Sequence, residues 1–136
     1  MFTGVSLVAR AFELRIRLAR RIPAEALPRI LEDLTPAHMP SEKTPLSEVW
    51  RVLRLVEALC RRMRVVPDTC LYRALTRYAL LRRSGHAATF VMGMDPRARE
   101  GLTAHAWVEL DGAPYQEALD ARMVVTYVYP GERATR

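Results

Sequence analysis

Cysteine, lysine and long apolar runs are the scarce commodities of this chain. It has two cysteines in 136 residues, too few for a disulfide framework or a zinc finger. Cys60, Cys70, His86 and His105 show no metal-ligand spacing, so no metal site is expected. No glycine-rich phosphate loop is present, so no bound ATP and no cofactor are expected either. No apolar run approaches the roughly 20 residues that cross a bilayer, and an integral membrane segment is not expected. Met1 to Arg21 carries five arginines where a signal peptide would need an apolar core and a small-residue cleavage site. A cytoplasmic protein is the expectation. Internal repeats and low-complexity tracts are also missing.

Half of the residues are hydrophobic, enough for one core in one domain. The net charge is +6, and all basic residues but Lys43 are arginine. The charge is uneven: residues 1–83 hold sixteen basic and eight acidic residues, residues 84–136 five and seven. A basic half can attract an acidic partner. No nucleic-acid motif accompanies it, so an arginine-rich solvated helix surface is the reading, with no nucleic-acid partner.

The first half has helical periodicity. Val5, Val8, Phe12, Ile16 and Ala19, with Leu7, Leu14 and Leu18 beside them, predict an amphipathic helix over residues 5–21. A membrane-surface helix would have the same pattern; packing on the core is the reading. A short helix is expected around Ala24–Leu34. After a proline-rich loop, Thr44 as N-cap and Pro45 at the first turn open a helix that stops before Pro67. Its apolar face runs through Leu46, Val49, Trp50, Leu53, Val56, Cys60 and Met63. A further helix starts at Asp68 or Thr69 and ends with Arg82, Arg83 and Gly85. The period then changes. Ala88–Met94 and Ala104–Leu110 read as strands, and Asp95–Leu102 as a surface loop. Asp111-Gly112 is a hairpin turn that returns the chain through Pro114 to Leu119, and Val124–Tyr129 is a last strand. Helices followed by an antiparallel meander make an α+β fold.

Cys70 falls in the first turn of a predicted helix, where free backbone N–H groups and the positive end of the dipole favour a thiolate. Cys60, mid-helix on an apolar face, reads as a core residue. His105 lies within a strand between two alanines, and alternation sets it on one face with Trp107 and Glu109. It is the candidate general base toward Cys70. Its orienting group should come from the return strand, where Gln116, Glu117 and Asp120 are available; a tight turn sets Glu117 nearly opposite His105. His38 and His86 read as solvated. Asp68 and Thr69 read as helix caps.

The segments Thr69-Cys70-Leu71-Tyr72-Arg73-Ala74-Leu75, Leu80-Leu81-Arg82-Arg83-Ser84-Gly85, Phe90-Val91-Met92-Gly93-Met94 and Ala104-His105-Ala106-Trp107-Val108-Glu109-Leu110-Asp111-Gly112 resemble the transglutaminase-like leader peptidases of lasso-peptide biosynthesis, the peptidase parts of the lasso B proteins. The match covers roughly residues 46–120. The resemblance implies a papain- and transglutaminase-like fold with a Cys-His-acid triad: Cys70 as nucleophile, His105 as base, and, twelve residues on, Glu117 where many relatives carry Asp. Asp120 is the alternative acid. It further implies hydrolysis of a precursor peptide at the leader–core junction, with the freed core amine passing to a macrolactam synthetase. Residues 46–129 would form the catalytic core and residues 1–45 a helical extension without the strands of a winged-helix recognition domain. Leader recognition would then belong to a separate winged-helix protein. Thr69 flanks the nucleophile. Arg73, one turn after Cys70, either binds substrate or ties the helix to an acidic neighbour. Trp107 either walls the cleft or fills the core. Two other classes stay open: an acyl- or amine-transferring enzyme on the same triad, and a non-catalytic basic binding module.

Overall fold

A computed structural model describes residues 4–64, 67–97 and 103–131. In these residues four helices precede four strands: α1 (Gly4–Arg21), α2 (Leu27–Leu34), α3 (Leu46–Met63), α4 (Cys70–Arg83), β1 (Thr89–Asp95), β2 (Thr103–Leu110), β3 (Ala113–Pro114) and β4 (Val124–Tyr129). The expected α+β order is observed. Part of the loop expected over 95–102 lies outside the described residues.

Helix α4 is the centre of the molecule. Tyr72 and every residue from Ala74 to Leu81 are buried, because one side of α4 lies on β1 and β2 while α1, α2 and α3 cover the rest. A helix buried all round has to be apolar or internally paired, and Thr76 and Arg77 are its polar exceptions. Thr76 Oγ1 donates to the carbonyl of Tyr72 at 2.8 Å. The helix ends at Ser84, and Gly85 follows with φ of 89°, the left-handed turn that glycine provides. A Cβ at Gly85 would also press on Lys43 and Glu42 at 3.1–3.2 Å.

Helix α1 packs on α3 and α4 through Ala11, Leu14 and Leu18, a three-and-four-residue spacing. This stripe is rotated from the one read in the sequence: Val5 is 81% exposed and Ile16 37%. The cause is Arg15, which a polarity pattern assigns to solvent and which is 0% exposed. Its Nη2 donates to Asp68 Oδ1 at 3.0 Å and to the carbonyl of Pro67 at 3.2 Å. That pairing turns the helix so that Arg15 faces the protein.

Helix α3 begins one residue later than expected, with Pro45 as the N-cap. Thr44 does not cap it. Its N–H donates to Ser84 O at 2.9 Å, and its carbonyl accepts His86 Nε2 at 2.7 Å. His86 is therefore half-buried rather than solvated. Leu46 and Met63, at the two ends of the expected apolar face, are 42% and 50% exposed. The helix closes on Arg64, left-handed at φ 52°, before Pro67.

The sheet is antiparallel in the order β3-β2-β1-β4. A simple meander would have put β4 beside β3. Instead β4 returns to the free edge of β1, where Tyr127 and Tyr129 pack against the core and meet Phe90 and Tyr78 edge-on. The hairpin at Asp111-Gly112 forms as expected, with positive φ at both residues (51° and 78°). Its return strand is shorter than expected: β3 holds only Ala113 and Pro114. Pro114 has no N–H to continue the ladder, and Gln116 takes a left-handed φ of 55°. One face of the sheet, with Phe90, Ala106 and Val108, joins the helical core. The alternate residues of β2, among them His105 and Trp107, belong to the opposite face.

Candidate functional site

Cys70 is the first residue of α4, and Thr69 is the N-cap. The first helical bond runs from the Arg73 N–H to the Thr69 carbonyl at 3.1 Å, so the N–H groups of Cys70, Leu71 and Tyr72 have no partner within the helix. Thr69 supplies no side-chain cap. Asp68, expected to act as one, is instead turned onto Arg15. The thiol is part-exposed at an uncapped helix start. Cys60, by contrast, is 0% exposed in the core, and burial pushes its thiol up.

His105 and Glu117 meet. The tight hairpin brings the chain back along β2, where the Tyr115 N–H donates to Val108 O at 2.7 Å. The left-handed Gln116 then turns Glu117 toward the neighbouring strand. Glu117 Oε1 lies 2.6 Å from His105 Nε2. With Nε2–H donating to the carboxylate, Nδ1 is the nitrogen that keeps a lone pair. Asp120, the alternative acid, is exposed and accepts the N–H of Arg122 at 3.0 Å.

Trp107 is 2% exposed, so its side chain is buried whatever else it does. Its indole stacks on the His105 ring (centroids 5.9 Å apart, planes at 17°) and donates to Glu109 Oε1 at 3.2 Å. It can lie flat because residue 93 is glycine. A Cβ there would sit 2.8 Å from Trp107 Cη2 and 2.9 Å from the Val124 carbonyl. Gly93 is also the residue paired with His105 across β1 and β2.

Cys70, Arg73, Ala74, Arg77, Ala106, Trp107 and Glu117 line one small cavity. The nucleophile candidate and the acid candidate thus share a wall; His105 is not in that lining but contacts two of its members, Glu117 and Trp107. No hydrogen bond links Cys70 to His105 among the described residues. Arg73 makes no ion pair among the described residues and lines the cavity, where the acid among the described residues is Glu117. Thr69 stays outside the cavity. A roomier cavity, between α1 and the loop before α3, is lined by Leu7, Leu14, Lys43, Glu48 and Arg83 among others, but by no cysteine or histidine.

Two charged residues that the sequence reading passed over are built into this site. Arg77 donates from Nε and Nη2 to Glu57 at 2.8 and 3.1 Å. Its Nη1 reaches Tyr115 O at 3.4 Å and lies 3.7 Å from Glu117 Oε2. Its guanidinium covers the Trp50 ring at 5.3 Å. The signals were there: Arg77 follows Cys70 by two helical turns on the same face, and Glu57 abuts the apolar stripe of α3. Among the described residues no group of three His, Cys, Asp or Glu could hold a metal ion. No described helix is long and apolar enough to cross a membrane.

A part-exposed cysteine at a helix start, beside a sheet that carries a histidine–carboxylate pair, has the parts of a cysteine-type enzyme of α+β architecture. The comparison of sequences agrees: residues 8–128 match the transglutaminase-like superfamily, and the chain belongs to it. Members of that superfamily are generally cysteine peptidases or transferases. The matched region begins inside α1 and takes in most of that helix and all of α2, α3 and α4. No curated protein and no solved structure matches the chain significantly.

Proposed function

We propose that this chain is a cysteine peptidase that hydrolyses a ribosomally made lasso-peptide precursor at its leader–core junction. One observation carries the reading: the 2.6 Å pair of His105 and Glu117 abuts a cavity walled by Cys70, at the uncapped start of α4. The superfamily membership supports the chemistry, and the likeness of residues 46–120 to lasso leader peptidases supports the substrate.

In this reading the Cys70 thiolate attacks the carbonyl carbon of the last leader residue. The N–H of Cys70 donates to the oxyanion. Protonated His105 gives its Nδ1 proton to the departing amine as the C–N bond breaks. Neutral His105 then takes a proton from water, the water oxygen attacks the thioester, and the C–S bond breaks to release the leader carboxylate. Glu117 keeps the Nε2–H proton throughout, in imidazolium and imidazole alike. Substrate binding brings Cys70 and His105 together, as catalytic hydrogen bonds often tighten only in the complex. We read residues 46–129 as the catalytic core and 1–45 as a helical extension. The leader is presented by a separate winged-helix protein, the core amine passes to a macrolactam synthetase, and the setting is the cytoplasm.

Iodoacetamide alkylation followed by peptide mass spectrometry is the first test. Cys70 is expected to react fast at neutral pH and to lose this in His105→Ala, while Cys60 stays inert in both. Equal reactivity of the two thiols, with the recognition protein present as well as absent, refutes the reading. Product masses from a precursor peptide then separate hydrolysis from transfer to an amine.

A further inference from the structure

We infer that Arg77, itself fixed by Glu57, is a positioning residue for Glu117: it holds the carboxylate where Oε1 meets His105 and ties that acid to the helix bearing Cys70. The inference rests on the roles given above to Cys70, His105 and Glu117.

Cys70 and Arg77 lie two turns apart on one face of α4, so the rigid helix fixes their spacing. Glu117 has no such support. It follows a two-residue strand and a left-handed residue, on a stretch of chain with no regular structure. Arg77 grips that stretch twice, at the Tyr115 carbonyl (3.4 Å) and at Glu117 Oε2 (3.7 Å). The grip is precise because the guanidinium is held from two further directions. Glu57 takes Nε and Nη2 in a bidentate pair, and Trp50, edge-on to Tyr115 at 6.0 Å, supports the flat face.

Glu57 also decides what Arg77 leaves undone. A guanidinium with a free fork would take both oxygens of Glu117 and compete with His105 for Oε1. With its fork occupied, Arg77 offers Glu117 only one corner, on Oε2, and leaves Oε1 to the imidazole. The side chains of Glu57 and Arg77 are each 10% exposed. Burying such a pair is often no more stabilising than an apolar pair of the same volume. Stability does not by itself account for a charged pair here; placement of Glu117 does.

The test compares wild type, Arg77→Lys, and the double variant Glu57→Gln with Arg77→Met. The double variant removes both charges and leaves no buried carboxylate unpaired; Arg77→Lys keeps the charge without the planar fork. Circular dichroism melting shows which variants are folded. Two readouts follow: the His105 tautomer from imidazole nitrogen NMR shifts, and the rate of Cys70 alkylation, with Cys60 as internal control. The expected result, with the tautomer read where the imidazole is neutral, is Nε2–H in wild type, mixed tautomers in the folded variants, and a rate lower on the order of tenfold, toward that of Glu117→Ala. Folded variants that keep the wild-type tautomer and rate overturn the proposal. If His105→Ala leaves the wild-type rate unchanged, the Cys70–His105 reading falls instead, and the tautomer alone decides the role of Arg77. If the double variant unfolds, the tautomer in Arg77→Lys decides.

Discussion

Removing Arg15 should harm the fold far less than removing its partner. Arg15 is wholly buried, while Asp68 keeps 20% of its side chain exposed. Nη2 is satisfied, but Nε and Nη1 have no hydrogen-bond partner among the described residues. Asp68→Asn leaves a desolvated cation without its counter-charge, which costs about 3–5 kcal/mol. Arg15→Met removes the cation and its two orphaned donors, each a standing cost of about 1–3 kcal/mol. It keeps a straight apolar chain in the space and leaves Asp68 free to face water. The two terms nearly cancel, so Arg15→Met should change stability by no more than about 1 kcal/mol. Urea unfolding followed by the fluorescence of Trp50 and Trp107 reads the difference. For m of about 1.5–2 kcal/mol/M, Asp68→Asn lowers the midpoint by roughly 2 M and Arg15→Met by well under 1 M. If Arg15→Met is as damaging as Asp68→Asn, Arg15 is a net stabilising anchor and its two orphaned donors do not carry the cost assigned to them.

Gly93→Ala sets a methyl against a carbonyl that cannot swing away and against the Trp107 ring. It should cost about 1–3 kcal/mol, with a shift in Trp107 emission; an unchanged or raised melting temperature contradicts the packing described. Burial pushes the Cys60 thiol and the Tyr78, Tyr115 and Tyr127 phenols up, so each is fully stabilising below its unfolded pKa. Above that value the unfolded chain loses the proton first, and the contribution is lost as pH rises through the folded value. The melting temperature should therefore fall with rising pH from about 8.5, and Cys60→Ala should delay the onset toward about 10, where the phenols take over. A Cys60→Ala curve parallel to wild type across that interval would argue against it.

Much of the candidate site was legible because its parts are local. Cys70 at a helix start follows from the proline and polar residues before it and the apolar period after it. His105 on a strand follows from alternation. Glu117 opposite His105 follows from the Asp111-Gly112 turn, since a two-residue hairpin fixes its own register. The return strand is shorter than alternation suggests because Pro114 and the left-handed Gln116 end pairing at once, a limit that strand propensity does not express.

The sequence by itself determined the order of elements, the hairpin and the residues that bear chemistry, because helix period, strand alternation and turn conformation are set within a few residues. Only the tertiary structure decided where β4 pairs and which arginines go inside. Arg15 meets Asp68 across 53 positions and Arg77 meets Glu57 across 20. A guanidinium is buried only where a carboxylate from another element waits for it, so its placement depends on how whole helices pack and not on its neighbours in the chain.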